Sequence, residues 1–137
     1  MTTTSMVQAR VFCCSSTACV SSNSVAVKAA LQQAFGSSLE VRESGCMGLC
    51  SRGPMVRVEL ADGTDALYES VTPGLAPRIA ATVTEHAPPP KQLLDQQQPF
   101  FARQVRIVTE LAGRIDPERI EDYLATGGYG ALNKAVT

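Results

Sequence analysis

The sequence predicts an α+β domain followed by a short α-helical segment, and three observations carry that prediction. Up to residue 86, stretches of strand length rich in β-branched residues are interspersed with stretches of helical periodicity. Three consecutive prolines, Pro88 to Pro90, then interrupt any regular structure and favour an extended connector. Beyond them only helical signals remain. The chain is therefore expected to divide into a first unit over 1–86, a Pro- and Gln-rich linker over 87–98, and a helical segment over 99–137 too short to fold alone.

Val7 to Phe12 has the composition of a strand leading into the first cysteines. Asn23 or Ser24 can cap a helix in which Val27, Leu31, Ala34 and Phe35 share a face, and Gly36 is placed to end it. Leu39 to Arg42 reads as a short strand. Pro54 to Leu60 alternates Val56, Val58 and Leu60 with Arg57 and Glu59, and Asp62-Gly63 turns it back into Ala66-Leu67-Tyr68 as an antiparallel ribbon. Thr72-Pro73 opens a helix with Leu75, Ile79 and Val83 on one stripe, ending before Pro88. The predicted order is β-α-β-β-β-α. In the second segment, Gln104 to Leu111 is predicted helical, Asp116-Pro117-Glu118 opens another helix with Ile120, Tyr123 and Leu124 on its apolar face, Gly127-Gly128 stops it, and Tyr129 to Val136 begins a third. That last helix runs to the end of the chain without a cap, so the expectation is a reading frame that continues.

Composition narrows the functions. Lys and Arg number 12 against 13 Asp and Glu, with no basic block, which argues against nucleic acid or an anionic membrane as the main partner. With one histidine, His86, a Ser-His-Asp arrangement has a single route and a two-His Rieske centre has none. Any metal must lean on sulfur. Neither a signal peptide over Met1 to Arg10 nor a run of spanning length is visible, so no direct membrane insertion is expected and the reading is a soluble, cytoplasmic protein. In that compartment thiols stay reduced, and Cys13, Cys14, Cys19, Cys46 and Cys50 point to metal binding or redox chemistry before disulfides.

Two pairs, Cys14-Ser-Ser-Thr-Ala-Cys19 and Cys46-Met-Gly-Leu-Cys50, place four thiolates on two loops. Soft thiolates suit iron bridged by sulfide, and the glycines at 45, 48 and 53 let the second loop aim N–H groups at sulfur. The same donors can hold structural zinc, although zinc modules favour tighter C-x-x-C knuckles, and thiol chemistry or inert cysteines are further alternatives. A thioredoxin-type C-x-x-C opening a helix is missing. Adjacent residues of a strand face opposite ways, so only one of Cys13 and Cys14 readily reaches the others; Cys14 is taken as the ligand and Cys13 as a buried or spare thiol.

The stretches Cys13 to Lys28, Gly45 to Pro54 and Leu67-Tyr-Glu-Ser-Val-Thr-Pro73 resemble thioredoxin-like 2Fe-2S ferredoxin domains. That resemblance implies a thioredoxin-like fold and a 2Fe-2S cluster carried by Cys14, Cys19, Cys46 and Cys50. Pro99-Phe-Phe-Ala-Arg-Gln104 and Gly113 to Leu132 are similar to the beginning of the flavoprotein subunits of NADH-linked oxidoreductases. The combination is most similar to diaphorase flavoproteins of bidirectional NAD-reducing nickel-iron hydrogenases, above all the cyanobacterial type, with relatives in NAD-dependent formate dehydrogenases and respiratory NADH dehydrogenase. It implies one-electron transfer among the other subunits of such a complex. FMN, NAD and a 4Fe-4S cluster belong, by the same resemblance, to parts of those proteins that this sequence does not contain, so the chain alone is not expected to be catalytic. The rival expectation is a zinc-bound or cluster-free module that serves subunit assembly.

Other residues read more plainly. His86 is expected as a solvated helix cap, and Tyr68, Tyr123 and Tyr129 as packing residues. Phe100 and Phe101 are candidates for docking or core contact, and Arg52 and Arg57, flanking the cysteine loop, for solvated surface.

Overall fold

The computed structural model describes residues 9–137; Val7 and Gln8 of the first predicted strand and most of the N-terminal stretch lie outside them. Strand β1 (Ala9–Cys14) runs through both adjacent cysteines. A short helix α1 (Thr17–Ser21) and a longer α2 (Ser24–Phe35) follow, then β2 (Val41–Ser44), β3 (Val56–Leu60), β4 (Asp65–Tyr68) and α3 (Ala76–Thr84). The sheet order is β2-β1-β3-β4, with β2 parallel to β1 and the other pairs antiparallel. The mixed α+β sheet is that expected, with α1 added and with β2 two residues later than its sequence signal.

Pleating divides the side chains between two faces. Val11 and Cys13 of β1, Val56 and Val58 of β3, and Tyr68 of β4 face α2 and α3 in the main core. Phe12, Cys14, Met55 and Leu67 face the opposite way and form a second apolar cluster with Cys19 and Met47. The register agrees, since Cys13 stands opposite Val56 and Phe12 opposite Arg57. Helix α2 presents Val27, Leu31 and Phe35 to the main core, each burial stabilising by about 1.5–3 kcal/mol; Ala34, expected on that stripe, is exposed. The helix ends at Gly36, whose φ of +61° is costly for any residue with a Cβ. Asn23 precedes α2 without a side-chain capping bond. A 3-10 turn over Pro73–Leu75 leads into α3, whose buried stripe is Ala76, Ile79, Ala80 and Val83. His86 is exposed just beyond that helix.

The proline-rich stretch returns along the β4 edge. Leu93 bridges Tyr68, the Glu69 amide donates to the Gln92 carbonyl at 3.0 Å, and the Leu94 amide to the Leu67 carbonyl at 2.8 Å. Helix α4 (Pro99–Ala102) then places Phe101 against the second cluster, edge-on to the exposed Phe100 at 5.0 Å.

The predicted helix over Gln104 to Leu111 does not form. Val105, Ile107 and Val108 are β-branched, and they stand 87, 80 and 98% exposed, so no buried face compensates their weak helix propensity. The next helix, α5 (Ile120–Ala125), starts four residues after the predicted Asp116 cap. Asp116 instead closes a turn, accepting the Glu118 amide at 3.0 Å, while its own amide donates to Asp122 Oδ2 at 2.9 Å. Helix α6 (Gly130–Val136) follows the paired Tyr123 and Tyr129 rings. Ion pairs join this region to the sheet: Arg42 to Asp122 at 2.8 Å, Arg119 to Glu40 at 2.9 Å and Arg114 to Glu59 at 2.8 Å. Among the described residues no helix is long and apolar enough to cross a membrane.

Candidate metal centre

Two of the four candidate thiols, Cys14 and Cys19, lie on the sheet face opposite α2 and α3, and the other two flank Met47, which packs into the same cluster. Cys14 is the last residue of β1, its amide bonded to the Met55 carbonyl at 3.0 Å. Cys19 sits inside α1 rather than on a loop as predicted, because Thr17 to Ser21 closes a helical turn held by the Val20 amide on the Ser16 carbonyl at 2.9 Å. Both thiols are 1% exposed among Phe12, Met47, Met55 and Leu67. Cys46 and Cys50 are exposed, at the start and end of a loop that closes with a 3-10 turn over Cys50–Arg52.

Their sulfurs form two close pairs. Cys46 Sγ and Cys50 Sγ lie 3.3 Å apart, and Cys14 lies close enough to Cys19 to help raise its thiol. Ser16 lies beside both pairs, with its hydroxyl 3.2 Å from Cys14 Sγ and close enough to Cys46 to help lower that thiol. Among the described residues no three His, Cys, Asp or Glu side chains converge as a ready single-ion site. Cys13 is turned to the other face, buried in the main core with its thiol 3.6 Å from the Ser24 carbonyl.

Local electrostatics separate the thiols. Burial pushes Cys13 up to about 12 and Cys19 up to about 11, so desolvation works against the free thiolate at both. The Gly48 amide donates to Cys46 Sγ at 3.4 Å and holds that thiol below its ordinary value, against the smaller opposing effect of burial. Cys50 is raised, first by its bond to Cys46 and then by the charge there, so the exposed pair favours sharing one proton. The Gly48 contact is the amide-to-sulfur bond that the glycines of this loop suggest. Ser16 and Gly53 carry no comparable sequence signal. A Cβ on Gly53 would stand 2.7 Å from Cys19 Sγ, so glycine there leaves the sulfur its room.

Arg57, expected at the solvated surface, is 6% exposed. Its register opposite Phe12 directs it to the second face, where Asp65 pairs with it and the later segment covers it. Arg52 remains exposed and grips Glu69 through bonds of 2.7 and 2.9 Å.

The donor set fits an iron-sulfur group in kind: four thiols in two pairs, an apolar wall behind the buried pair, and a backbone N–H on one exposed sulfur. Sheet order and helix placement are those of the fold seen in thioredoxin-like ferredoxins, although no family model matches the sequence. The thioredoxin-like [2Fe-2S] ferredoxin from Aquifex aeolicus superimposes with a TM-score of 0.53 at 22% identity, covering 64% of this chain and 96% of that one. A cysteine-to-serine variant of the same ferredoxin gives 0.53 at 20% identity, over 64% of this chain and 98% of that one.

Proposed function

We propose that the protein is an electron-transfer module whose Cys14, Cys19, Cys46 and Cys50 hold a 2Fe-2S cluster. The observation that carries this reading is the neighbourhood of two cysteine pairs, Cys14 and Cys19 buried on the second sheet face and Cys46 and Cys50, 3.3 Å apart, on the loop whose Met47 packs into the same cluster, while Cys13 points away. The likeness in fold to proteins described as [2Fe-2S] ferredoxins supports it. A bound cluster of this type supplies one-electron exchange at low potential, near about −400 mV for all-cysteine plant-type sites.

The chain's own residues divide the remaining work. Phe12, Met55 and Leu67 exclude water behind Cys14 and Cys19, the Gly48 amide stabilises negative charge on Cys46, and the exposed 46–50 loop gives an electron partner its closest approach. The resemblance of residues 99–132 to flavoprotein subunits supports a place in an NAD(H)-linked hydrogenase or dehydrogenase. Flavin and nicotinamide would then be bound by further sequence or by partner subunits.

Anaerobic reconstitution with ferrous iron and sulfide tests the cluster. The expected product is coloured protein that bleaches on adding dithionite. Colourless protein with one zinc and no acid-labile sulfide would overturn the reading in favour of an assembly module. Reduction of the reconstituted protein by NADH and a purified NAD-linked flavoprotein supports the wider context, and failure of that step alone removes only the context.

A further inference from the structure

The stretch after α4 is patterned in reverse. Val105, Ile107 and Val108 face solvent, while the cation between them, Arg106, is half-buried against the cysteine loop. Its Nη2 donates to the Met47 carbonyl at 3.2 Å. A Cβ on Gly48 would lie 3.1 Å from that same nitrogen, so the guanidinium approaches where the loop backbone is bare. Further along, Gly113 at φ +79° comes so near that a Cβ would meet Met47 Cγ at 2.9 Å. Met47 is thus held by its main chain and by its side chain, from one segment.

Charge singles out Arg106 as well. Three arginines line the cavity of about 490 Å³ between this segment and the sheet. Arg57 and Arg114 are both paired with Asp65, and Arg114 also with Glu59, whereas among the described residues Arg106 has no carboxylate within ion-pair distance. Its charge is left to act on the loop it touches.

We propose that Arg106 is a positioning residue that clamps the Cys46–Cys50 loop and favours the reduced state of a cluster bound there. The inference rests on the cluster reading above. Reduction adds one negative charge, and an unpaired cation beside the loop stabilises that added charge more than the oxidised form. Arginine's fork fixes the charge in place through the Met47 carbonyl.

The test is an EPR-monitored redox titration of reconstituted parent, Arg106→Gln and Arg106→Lys proteins, with hydrogen exchange over Cys46–Cys50 in their metal-free forms. At a fixed poise near the parent midpoint, Arg106→Gln is expected to lower the reduced-to-oxidised ratio about fivefold, which is a midpoint about 40 mV more negative at 59 mV per tenfold change. Arg106→Lys, which keeps the charge, is expected within about twofold of the parent ratio. Loop exchange should quicken in Arg106→Gln. An unchanged ratio in Arg106→Gln, or an equal shift in both variants, overturns the electrostatic role. Where Arg106→Gln takes up no cluster, its exchange decides: unchanged protection of the loop overturns the clamp, and faster exchange supports it. A parent protein that shows no cluster signal defeats the cluster reading instead, and exchange still tests the clamp.

Discussion

Gly53→Ala isolates the packing that leaves Cys19 its place. Gly53 has φ −68° and ψ 166°, angles open to any residue, so alanine meets no backbone strain. What it lacks is room. The new Cβ would stand 2.7 Å from Cys19 Sγ, with Cys19 Cα and the Cys50 carbonyl oxygen at an unremarkable 3.6 Å. Nonbonded heavy atoms of this kind rest at roughly 3.5–4.0 Å, so about 1 Å has to be found. Cys19 cannot retreat easily, being 1% exposed in the cluster with Phe12, Met55 and Leu67. Overpacking of this sort costs about 1–3 kcal/mol, and the lower entropy of an alanine-containing unfolded chain offsets about 0.4–1 kcal/mol. The metal-free protein should lose about 1–2 kcal/mol in urea unfolding followed by circular dichroism under reducing conditions, and roughly 3–6 °C in Tm. The cause is read by a double-mutant cycle. In a Cys19→Ala background the sulfur is gone, and Gly53→Ala should become neutral or stabilising by up to about 1 kcal/mol. An equal cost in both backgrounds would refute the argument that glycine at 53 exists to admit the Cys19 sulfur.

Serine in place of Cys14, Cys19, Cys46 or Cys50 should each reduce iron retained after gel filtration, whereas Cys13→Ser should keep the iron and lower stability by about 1 kcal/mol, since it places a hydroxyl in the apolar core. Ile79→Ala, at a position with no exposure between α3 and the sheet, should cost about 2–5 kcal/mol in the same unfolding assay without changing iron stoichiometry. Acid should loosen the C-terminal region first. Arg119 holds Glu40 below its ordinary 4.5, and although burial pushes Asp122 up, the Asp116 amide and Arg42 together bring it below 3.8. Depressed carboxylates contribute stability above their unfolded values and lose it as pH falls through the folded ones, so hydrogen exchange in α5 should rise below about pH 4 while the sheet stays protected. Asp122→Asn should give the same local loss at neutral pH, and uniform exchange across the chain would contradict it.

The sheet was legible because its signals are local. Alternation in Val56 to Leu60, the Asp62-Gly63 turn and the Gly36 stop each act within a few residues, and tertiary packing agrees with them. Cys14 and Cys13 could be separated by strand pleating alone, and the structure places them on opposite faces. The second segment was harder to read. Val105 to Val108 supplies apolar residues at a spacing compatible with a helix, but the sheet face offers them no groove, and Arg106 is drawn to the Met47 carbonyl instead. That contact spans 59 residues of sequence, as the burial of Arg57 depends on a segment that returns much later, and neither leaves a local pattern. Helix α1 was missed because Ser-Ser-Thr-Ala reads as a loop, and its single turn depends on Ser16 and on packing of Cys19.

The proposed function requires four thiolates to hold two irons that exchange a single electron. A reductive titration of the anaerobically reconstituted protein, with iron, sulfide and EPR spin counted on the same sample, decides it. Two irons and two acid-labile sulfides per chain are expected, with one electron taken up and one unpaired spin appearing on reduction. A protein that binds one metal ion per chain, carries no labile sulfide and accepts no electron would contradict it.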